Sequence, residues 1–360
     1  MHGFKANHIP ALDGLRGLAI LLVITHHQLI PVSLNGGFLG VDLFFVLSGF
    51  LITTLLLAEF ASTNKISLKK FYARRALRLG PALLLYLTAC LIVAYDTQIL
   101  DWSRQLKLIG FAVAYSTNWR FAFGWDSVLD PTAIIWSLSI EEQFYILWPM
   151  IFFCCLMLKC KRRYLVLVLS GLILTIMVHR SSLLNEGVAL NRLYYGTDTR
   201  ADALLMGCLI ALLPPWNPQQ SAKRYVNFAA TSAALCLAYL ITTVHFTDHF
   251  LYGGGYTGIA SMAGIVTWSV ANAPPRVLTT VLEWAPLRWF GKISYGLYLW
   301  HWLLLKTTSF YFIAGSWDPW ARFAVAVGVS ALSFYLIERP FNQLKTRFAS
   351  TPVQAALAQP

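Results

Sequence analysis

Charged residues are scarce in this sequence. Asp, Glu, Lys and Arg make up only 12% of its 360 residues, whereas 57% are hydrophobic. A soluble globular domain has about 25% charged residues, so the composition argues against an ordinary soluble enzyme. Mean hydropathy is +0.59 and apolar runs recur along the whole chain, which indicates a polytopic membrane protein. We attribute the net charge of +12 to membrane topology and expect no nucleic-acid partner.

Several sequence motifs are absent as well. The sequence has no H-E-x-x-H, no G-x-S-x-G and no glycine-rich phosphate loop, which argues against a zinc protease, an α/β-hydrolase and a P-loop enzyme. None of the six cysteines belongs to a C-x-x-C pair and five lie inside apolar runs, so we expect neither disulfides nor a metal site. The first apolar run lacks an A-x-A-like cleavage site, so we interpret it as a membrane span and not as a signal peptide.

The apolar segments predict an all-α fold, a polytopic transmembrane helical bundle of about 10 spans. The stretch at 104–117 is short for a span, and we interpret it as a re-entrant or interfacial helix, with a full span as the alternative. The predicted spans are 12–30, 39–58, 80–95, 134–157, 164–179, 199–213, 226–246, 255–272, 290–313 and 320–337.

The distribution of basic residues predicts the orientation of the bundle. Most of the 28 Lys and Arg residues fall in alternate connecting segments, and such segments stay in the cytoplasm. Both termini are therefore expected in the cytoplasm. Counting 104–117 as a span would place the basic run at 159–163 outside. We expect one membrane domain over 8–345 and a short disordered cytoplasmic tail over 346–360.

Ionisable and polar residues inside the predicted spans are the candidates for function, because such groups are costly in lipid. Arg16 and His27 are eleven residues apart, which places them on one helix face and about 16 Å apart along its axis. Ser137 and Glu141 share a helix face because they are four residues apart. Basic residues are expected on the inner side, at Arg16, Arg74, Arg75 and Arg78. His27, Asp42, Glu141 and Asp202 are expected in the outer half, and His301 near the middle of its span.

These patterns resemble those of the membrane-bound acyltransferase-3 family of bacterial integral-membrane O-acyltransferases. The family's arginine and histidine separated by ten residues match Arg16 and His27, and its Phe-Phe-x-x-Ser-Gly matches a stretch that contains Ser48. Its Ser-x-x-x-Glu matches Ser137 and Glu141, and its late Tyr-Leu-Trp-His ends here at His301. The resemblance covers about 8–345, and we expect the family's form without a fused soluble hydrolase-like domain.

The resemblance implies transfer of an acyl group, usually acetyl, from acetyl-CoA as co-substrate to a hydroxyl of a glycan or glycoconjugate, without a metal. It implies catalytic roles for His27, as general base, and for Glu141. Other residues are expected to bind the donor or the acceptor, with the arginines on the coenzyme A phosphates: Arg16, Arg74, Arg75, Arg78, Ser48, Ser137, Asp13, Asp42, Asp202 and His301. The expected partners are the lipid bilayer, acyl-CoA and the hydroxylated acceptor, and the resemblance implies a multi-pass protein of the bacterial inner membrane.

Three alternatives stay open at this point. The chain could be a membrane permease or lipid-linked sugar transporter, although it lacks the paired repeats that many transporters have. It could acylate a small hydroxylated metabolite such as a macrolide. It could also be an inactive relative, although the matched polar residues are intact. At the residue level, His27 could instead be held in the core by Asp13 or Asp42, and the arginines could be topology signals alone.

Overall fold

A computed structural model describes residues 8–27, 32, 34–97, 101–125, 130–214, 220–306 and 319–345. Within these ranges all regular structure is helical and no strand occurs, as the all-α prediction requires. The helices are α1 Pro10–His26, α2 Gly40–Thr63, α3 Leu68–Thr97, α4 Trp102–Val113, α5 Thr117–Ala122, α6 Ile135–Met157, α7 Arg162–Asn185, α8 Leu190–Tyr195, α9 Thr197–Leu212, α10 Gln220–Thr243, α11 Tyr256–Asn272, α12 Arg276–Leu282, α13 Ala285–Lys306, α14 Pro319–Ser333 and α15 Arg339–Leu344. A 3-10 turn, Asn35–Leu39, leads into α2, and π-helical turns Leu251–Gly255 and Phe334–Glu338 precede α11 and α15.

Among the described residues, six helical segments are long and apolar enough to cross a membrane: Asn35–Thr63, Leu68–Tyr95, Ile135–Met157, Arg162–Asn185, Lys223–Thr243 and Pro319–Leu344. The other four predicted spans correspond to α1, α9, α11 and α13. The first three of these are only 17, 16 and 17 residues long. Helix α4, at 12 residues, extends about 18 Å, which is short of a hydrocarbon core of about 30 Å. The predicted span ends at 28–30 and 307–313, and the tail at 346–360, lie outside the described residues.

Helix α3 begins earlier than its sequence suggests. The predicted span starts at 80, with Arg74, Arg75 and Arg78 in the preceding basic segment, whereas the helix begins at Leu68 and contains Pro81. The segment before Pro81 is rich in Leu, Ala, Lys and Arg, which favour helix, and a single proline within a membrane helix is tolerated when neighbouring groups satisfy the freed carbonyl. The three arginines are therefore held on a helix and not on a loop.

Glycines let two pairs of helices approach with their backbones almost in contact. A Cβ at Gly17 in α1 would lie 1.9 Å from the carbonyl oxygen of Leu287 in α13, and one at Gly291 would lie 1.9 Å from that of Asp13. Helices α2 and α9 cross in the same way at Gly49, where a Cβ would lie 2.0 Å from the carbonyl oxygen of Leu204. Small residues at helix contacts are typical of membrane proteins, where packing drives helix association. The α1–α13 contact determines which side chains of the two helices face each other.

Buried ion pairs join α2, α7 and α9. Arg200 in α9 lies 2.9 Å from Asp42 in α2, and Arg180 in α7 lies 2.9 Å from Asp202 in α9. Thr257 in α11 donates a hydrogen bond to Asp202 at 2.5 Å. All five side chains are at least nine-tenths buried. Since a buried charge without a partner is strongly destabilising, these pairs specify how α2, α7, α9 and α11 pack.

Candidate active site

A cavity of about 200 Å³ lies between α1, α2, α3, α6 and α13, and we call it the arginine cavity. Its polar lining includes five basic side chains and one acidic side chain, so it carries a positive charge that suits an anionic ligand. The polar and aromatic residues that line it are Arg16, Phe44, Phe45, Ser48, Phe71, Arg74, Arg75, Arg78, Ser137, Glu141, Tyr145, Ser294, Tyr295, Tyr298 and Lys345.

The four arginines of this cavity have different partners. Arg74 pairs with Glu59 at 3.2 Å. Arg75 pairs with Glu142 at 2.6 Å and stacks on the ring of Tyr145. Within the described residues neither Arg16 nor Arg78 has an ion-pair partner.

Arg16 donates a long hydrogen bond of 3.4 Å to Ser294. Arg16 and Arg78 are therefore the guanidinium groups that retain the most capacity to bind an external anion.

Lys345 adds a fifth basic group just beyond α15. Burial, with Arg78 and Arg16 close by, lowers the pKa of Lys345 to about 6. The amine is therefore largely uncharged at neutral pH until an anion enters the cavity and favours its protonated form.

Glu141 and Ser48 form a hydrogen-bonded pair in the arginine cavity. The Ser48 hydroxyl donates to Glu141 Oε1 at 2.8 Å. This bond joins α2 to α6 and fixes the carboxylate on the cavity wall. Glu141 and His27 line different cavities.

A second cavity, of about 270 Å³, contains His27, and we call it the histidine cavity. Most of its lining is aromatic or aliphatic, and its polar groups belong to one asparagine, two histidines and three tyrosines. The lining residues are Val23, His26, His27, Phe38, Val41, Ile134, Trp136, Asn191, Tyr194, Tyr195, Phe246 and Tyr298. Aromatic rings with a few polar groups are typical of sites that bind small organic ligands.

His27 follows the last residue of α1 and faces α13. Its Nδ1 lies 2.9 Å from Nε2 of His301, and Nδ1 of His301 lies 2.9 Å from the carbonyl oxygen of Leu297, one turn back in α13. The planes of the two imidazoles differ by 18°. Trp302 packs its ring edge-on against His27, with centroids 4.9 Å apart. His301 is fully buried and lines neither cavity. It contacts His27 on the side of that ring that faces α13.

The two cavities lie back to back. Val41 and Tyr298 line both of them. The Tyr298 hydroxyl donates to the carbonyl oxygen of Ile134 at 3.0 Å and lies 2.5 Å from the Ser137 hydroxyl. Ser137 therefore donates to Tyr298 and fixes its ring between the basic cavity and the histidine cavity.

Besides His301, three residues predicted to bind the donor or the acceptor line neither cavity. Asp42 and Asp202 are in the buried ion pairs with Arg200 and Arg180. Asp13 lies 2.7 Å from His8 near the beginning of α1. None of the three aspartates lines either cavity.

Several lining residues are not among the site residues named from the sequence. Tyr298 is three residues before His301, so it shares a helix face with that histidine, and this spacing was the available signal. Lys345 follows the last apolar segment, and from sequence alone it is interpreted as one of the basic residues that set membrane topology. Asn191 and Tyr194 belong to a short helix with no distinctive pattern. In the part of the chain that the structure describes, no cluster of three or more His, Cys, Asp or Glu side chains is arranged to hold a metal.

Comparison with known proteins shows a clear similarity over almost the whole chain. Residues 9–339 match the family model described as an acyltransferase domain. The chain is 38% identical over 354 residues to a putative peptidoglycan O-acetyltransferase, YrhL, of Bacillus subtilis. The alignment covers 93% of this chain and 55% of that protein. It is 36% identical over 357 residues to the peptidoglycan O-acetyltransferase OatA of Listeria monocytogenes, and this alignment covers 94% of this chain and 57% of that protein.

A putative O-acetyltransferase of Staphylococcus aureus is 34% identical over 360 residues, with 94% of this chain and 58% of that protein covered. The chain thus spans somewhat more than half the length of these relatives. No solved structure matches it.

Proposed function

The chain belongs to the acyltransferase family that this domain model describes, and from this premise we propose that it is an integral-membrane O-acyltransferase. In this proposal it transfers an acetyl group from acetyl-CoA to a hydroxyl of a cell-wall glycan, and residues 8–345 form the unit that does so. The observation that carries the proposal is the pair of adjoining cavities, one lined by basic side chains and one containing His27, with Tyr298 between them.

The arginine cavity suits the donor. Coenzyme A carries several phosphate charges, and guanidinium groups bind phosphate through paired hydrogen bonds. Arg16 and Arg78 lack carboxylate partners among the described residues, and Lys345 gains a proton when an anion is near. We propose that these three groups bind the donor phosphates, while Arg74 and Arg75 stay paired with their glutamates. Since acyl-CoA is cytoplasmic, this cavity opens toward the cytoplasm.

The histidine cavity suits the acceptor. A sugar ring presents C–H faces that pack on aromatic side chains and hydroxyls that bond to groups such as the Asn191 amide. Two of the relatives are named as peptidoglycan O-acetyltransferases, so we propose a peptidoglycan or similar glycan hydroxyl as the acceptor. The acceptor then approaches from the outer side of the inner membrane.

The reaction needs a base, because a neutral hydroxyl attacks a thioester poorly. In the proposed step the acceptor oxygen bonds to the acetyl carbon while His27 takes the hydroxyl proton. The carbon–sulfur bond then breaks, and the thiolate of coenzyme A takes the proton from His27. The products are the acetyl ester and coenzyme A thiol, and the histidine returns to its starting state.

Substitution of His27 tests the proposal. General-base assistance increases a rate by about 10²–10⁴-fold. We therefore expect His27→Ala to reduce the rate of acetyl transfer from acetyl-CoA to glycan fragments by at least about 10²-fold. His27→Gln, which keeps polarity but has no basic nitrogen, should be equally impaired. His249→Ala is the matched control, because His249 lines neither cavity. Full transfer by His27→Gln, or movement of glycan without consumption of acetyl-CoA by the wild type, would contradict the proposal.

A further inference from the structure

The buried His301 is the feature that the proposed step leaves unexplained. A neutral imidazole has one nitrogen that carries a proton and one that carries a lone pair. Only the second can accept the proton of an acceptor hydroxyl. The two tautomers of histidine have similar energies in water, so a base of this kind needs a neighbour that selects one of them.

The hydrogen bond to Leu297 determines the tautomer of His301. A backbone carbonyl can only accept, so Nδ1 of His301, 2.9 Å away, must donate and must carry the proton. His301 is fully buried and has no carboxylate partner within the described residues, and burial of an unpaired charge is very unfavourable. The ring is therefore neutral, and its Nε2 carries a lone pair.

The tautomer of His27 follows from that of His301. Nε2 of His301 can only accept, and it lies 2.9 Å from Nδ1 of His27. Nδ1 of His27 therefore carries the proton. The small angle of 18° between the ring planes and the 5.1 Å between centroids agree with an end-to-end N–H···N bond. By elimination, the lone pair of His27 is on Nε2.

We propose that His301 is a positioning residue that sets His27 as the Nδ1–H tautomer, with the basic lone pair on Nε2. The Leu297 carbonyl fixes the tautomer of His301, and His301 in turn fixes the tautomer of His27. In a serine protease a carboxylate has this orienting role. Here a neutral imidazole replaces it. The inference rests on the proposed role of His27 as the base.

Two polar substitutions of different length separate this role from a packing role. The amide of Gln reaches the position of a histidine Nε2, whereas the amide of Asn reaches only the position of Nδ1. We expect His301→Gln to retain transfer within about tenfold, because its amide oxygen can accept from His27 Nδ1. His301→Asn and His301→Ala should lose about 10²-fold or more in kcat with little change in the KM for acetyl-CoA.

A packing control comes from the same helix. Leu299→Ala removes a fully buried side chain of α13, two residues and therefore about 200° away from His301. It should lower thermal stability without the loss of kcat that is expected for His301→Asn. Equal activity of the Gln and Asn variants would overturn the inference.

Nitrogen NMR of the protein with ¹⁵N-labelled histidine gives a readout that does not depend on activity. Protonated and unprotonated ring nitrogens have well-separated shifts, so the spectrum should show Nδ1–H and unprotonated Nε2 for His27 in the wild type, and a mixture in His301→Ala. A proton on Nε2 of wild-type His27 would overturn the inference even if transfer is confirmed. The expected tautomer in a protein that transfers no acetyl group would instead leave the inference standing and contradict the proposed function.

Discussion

At the scale of single residues, neighbouring arginines in one cavity are expected to behave differently. Arg75 is neutralised by Glu142, whereas Arg78, three residues later on the same face of α3, has no ion pair among the described residues. A cation that already has a partner helps to hold the helices together. A cation without one is available to a ligand, at the cost of repulsion from its basic neighbours while the cavity is empty.

Substitution of these two arginines should therefore separate binding from stability. A charge-assisted hydrogen bond contributes about 1.5–3 kcal/mol, so Arg78→Gln should weaken coenzyme A binding about 10–100-fold while the protein remains folded. Arg75→Gln should lower thermal stability, because it leaves the Glu142 carboxylate unpaired. Adding Glu142→Gln to Arg75→Gln should restore much of that stability. Calorimetric titration and thermal unfolding of the purified protein measure both effects, and unchanged coenzyme A affinity in Arg78→Gln would refute the donor role.

Lys345 should make donor binding depend on pH. Its pKa of about 6 in the empty cavity rises when phosphates are bound, because they favour the charged amine. Binding then takes up a proton above about pH 6, so affinity for coenzyme A should fall as the pH rises from about 6 to 8. Ionisation of the phosphates themselves opposes this trend, so the comparison is with Lys345→Met, which should lack the lysine contribution. Identical pH dependence of the two affinities would show that Lys345 does not bind the donor.

At the scale of helices, the register of α1 against α13 determines whether the site exists. Arg16 meets Ser294 and His27 meets His301 only because Gly17 and Gly291 allow the two backbones to touch. A Cβ at Gly17 would require the helices to separate or shift. Such a shift would break the 2.9 Å contact between the two histidines.

We expect Gly17→Ala to cost about 1–3 kcal/mol in packing and to abolish most acetyl transfer. Gly171→Ala in α7 is the matched control, because no atom lies within 4 Å of the added Cβ and alanine favours helix relative to glycine. Thermal unfolding in detergent and the transfer assay together measure the two effects. Gly17→Ala with full activity and unchanged melting temperature would show that α1 and α13 are free to adjust.

The same scale shows what sequence could and could not predict. Helical periodicity and charge placed Arg16, His27, Ser137 and Glu141 on particular helix faces, because those relations are local. The contact between His27 and His301 spans 274 residues, and nothing local encodes it. Depth alone also could not separate cavity residues from structural pairs, so Asp42 was expected to bind substrate although it pairs with Arg200.

At the scale of the whole molecule, the directions of the helices relate the two cavities to the two ends of the bundle. Helices α1 and α13 run parallel, since Arg16 meets Ser294 and His27 meets His301. Helix α6 passes from Trp136 in the histidine cavity to Glu141 in the arginine cavity. The turn after α6, with Cys160, is therefore at the arginine end. The turn between α7 and α8 precedes Asn191, a lining residue of the histidine cavity, and is at the opposite end.

This arrangement makes membrane orientation a test of the donor. If the donor is cytoplasmic acyl-CoA, the turn with the exposed Cys160 must face the cytoplasm, as its basic flanking residues also predict. In a variant that keeps Cys160 as its only cysteine, a membrane-impermeant thiol reagent should label the protein only after the cells are permeabilised. In a variant whose only cysteine is introduced by Asn185→Cys, at the exposed end of α7, intact spheroplasts should be labelled. The reverse pattern would place the arginine cavity outside, where acetyl-CoA is absent, and would refute the proposed direction of transfer while leaving the helix packing unchanged.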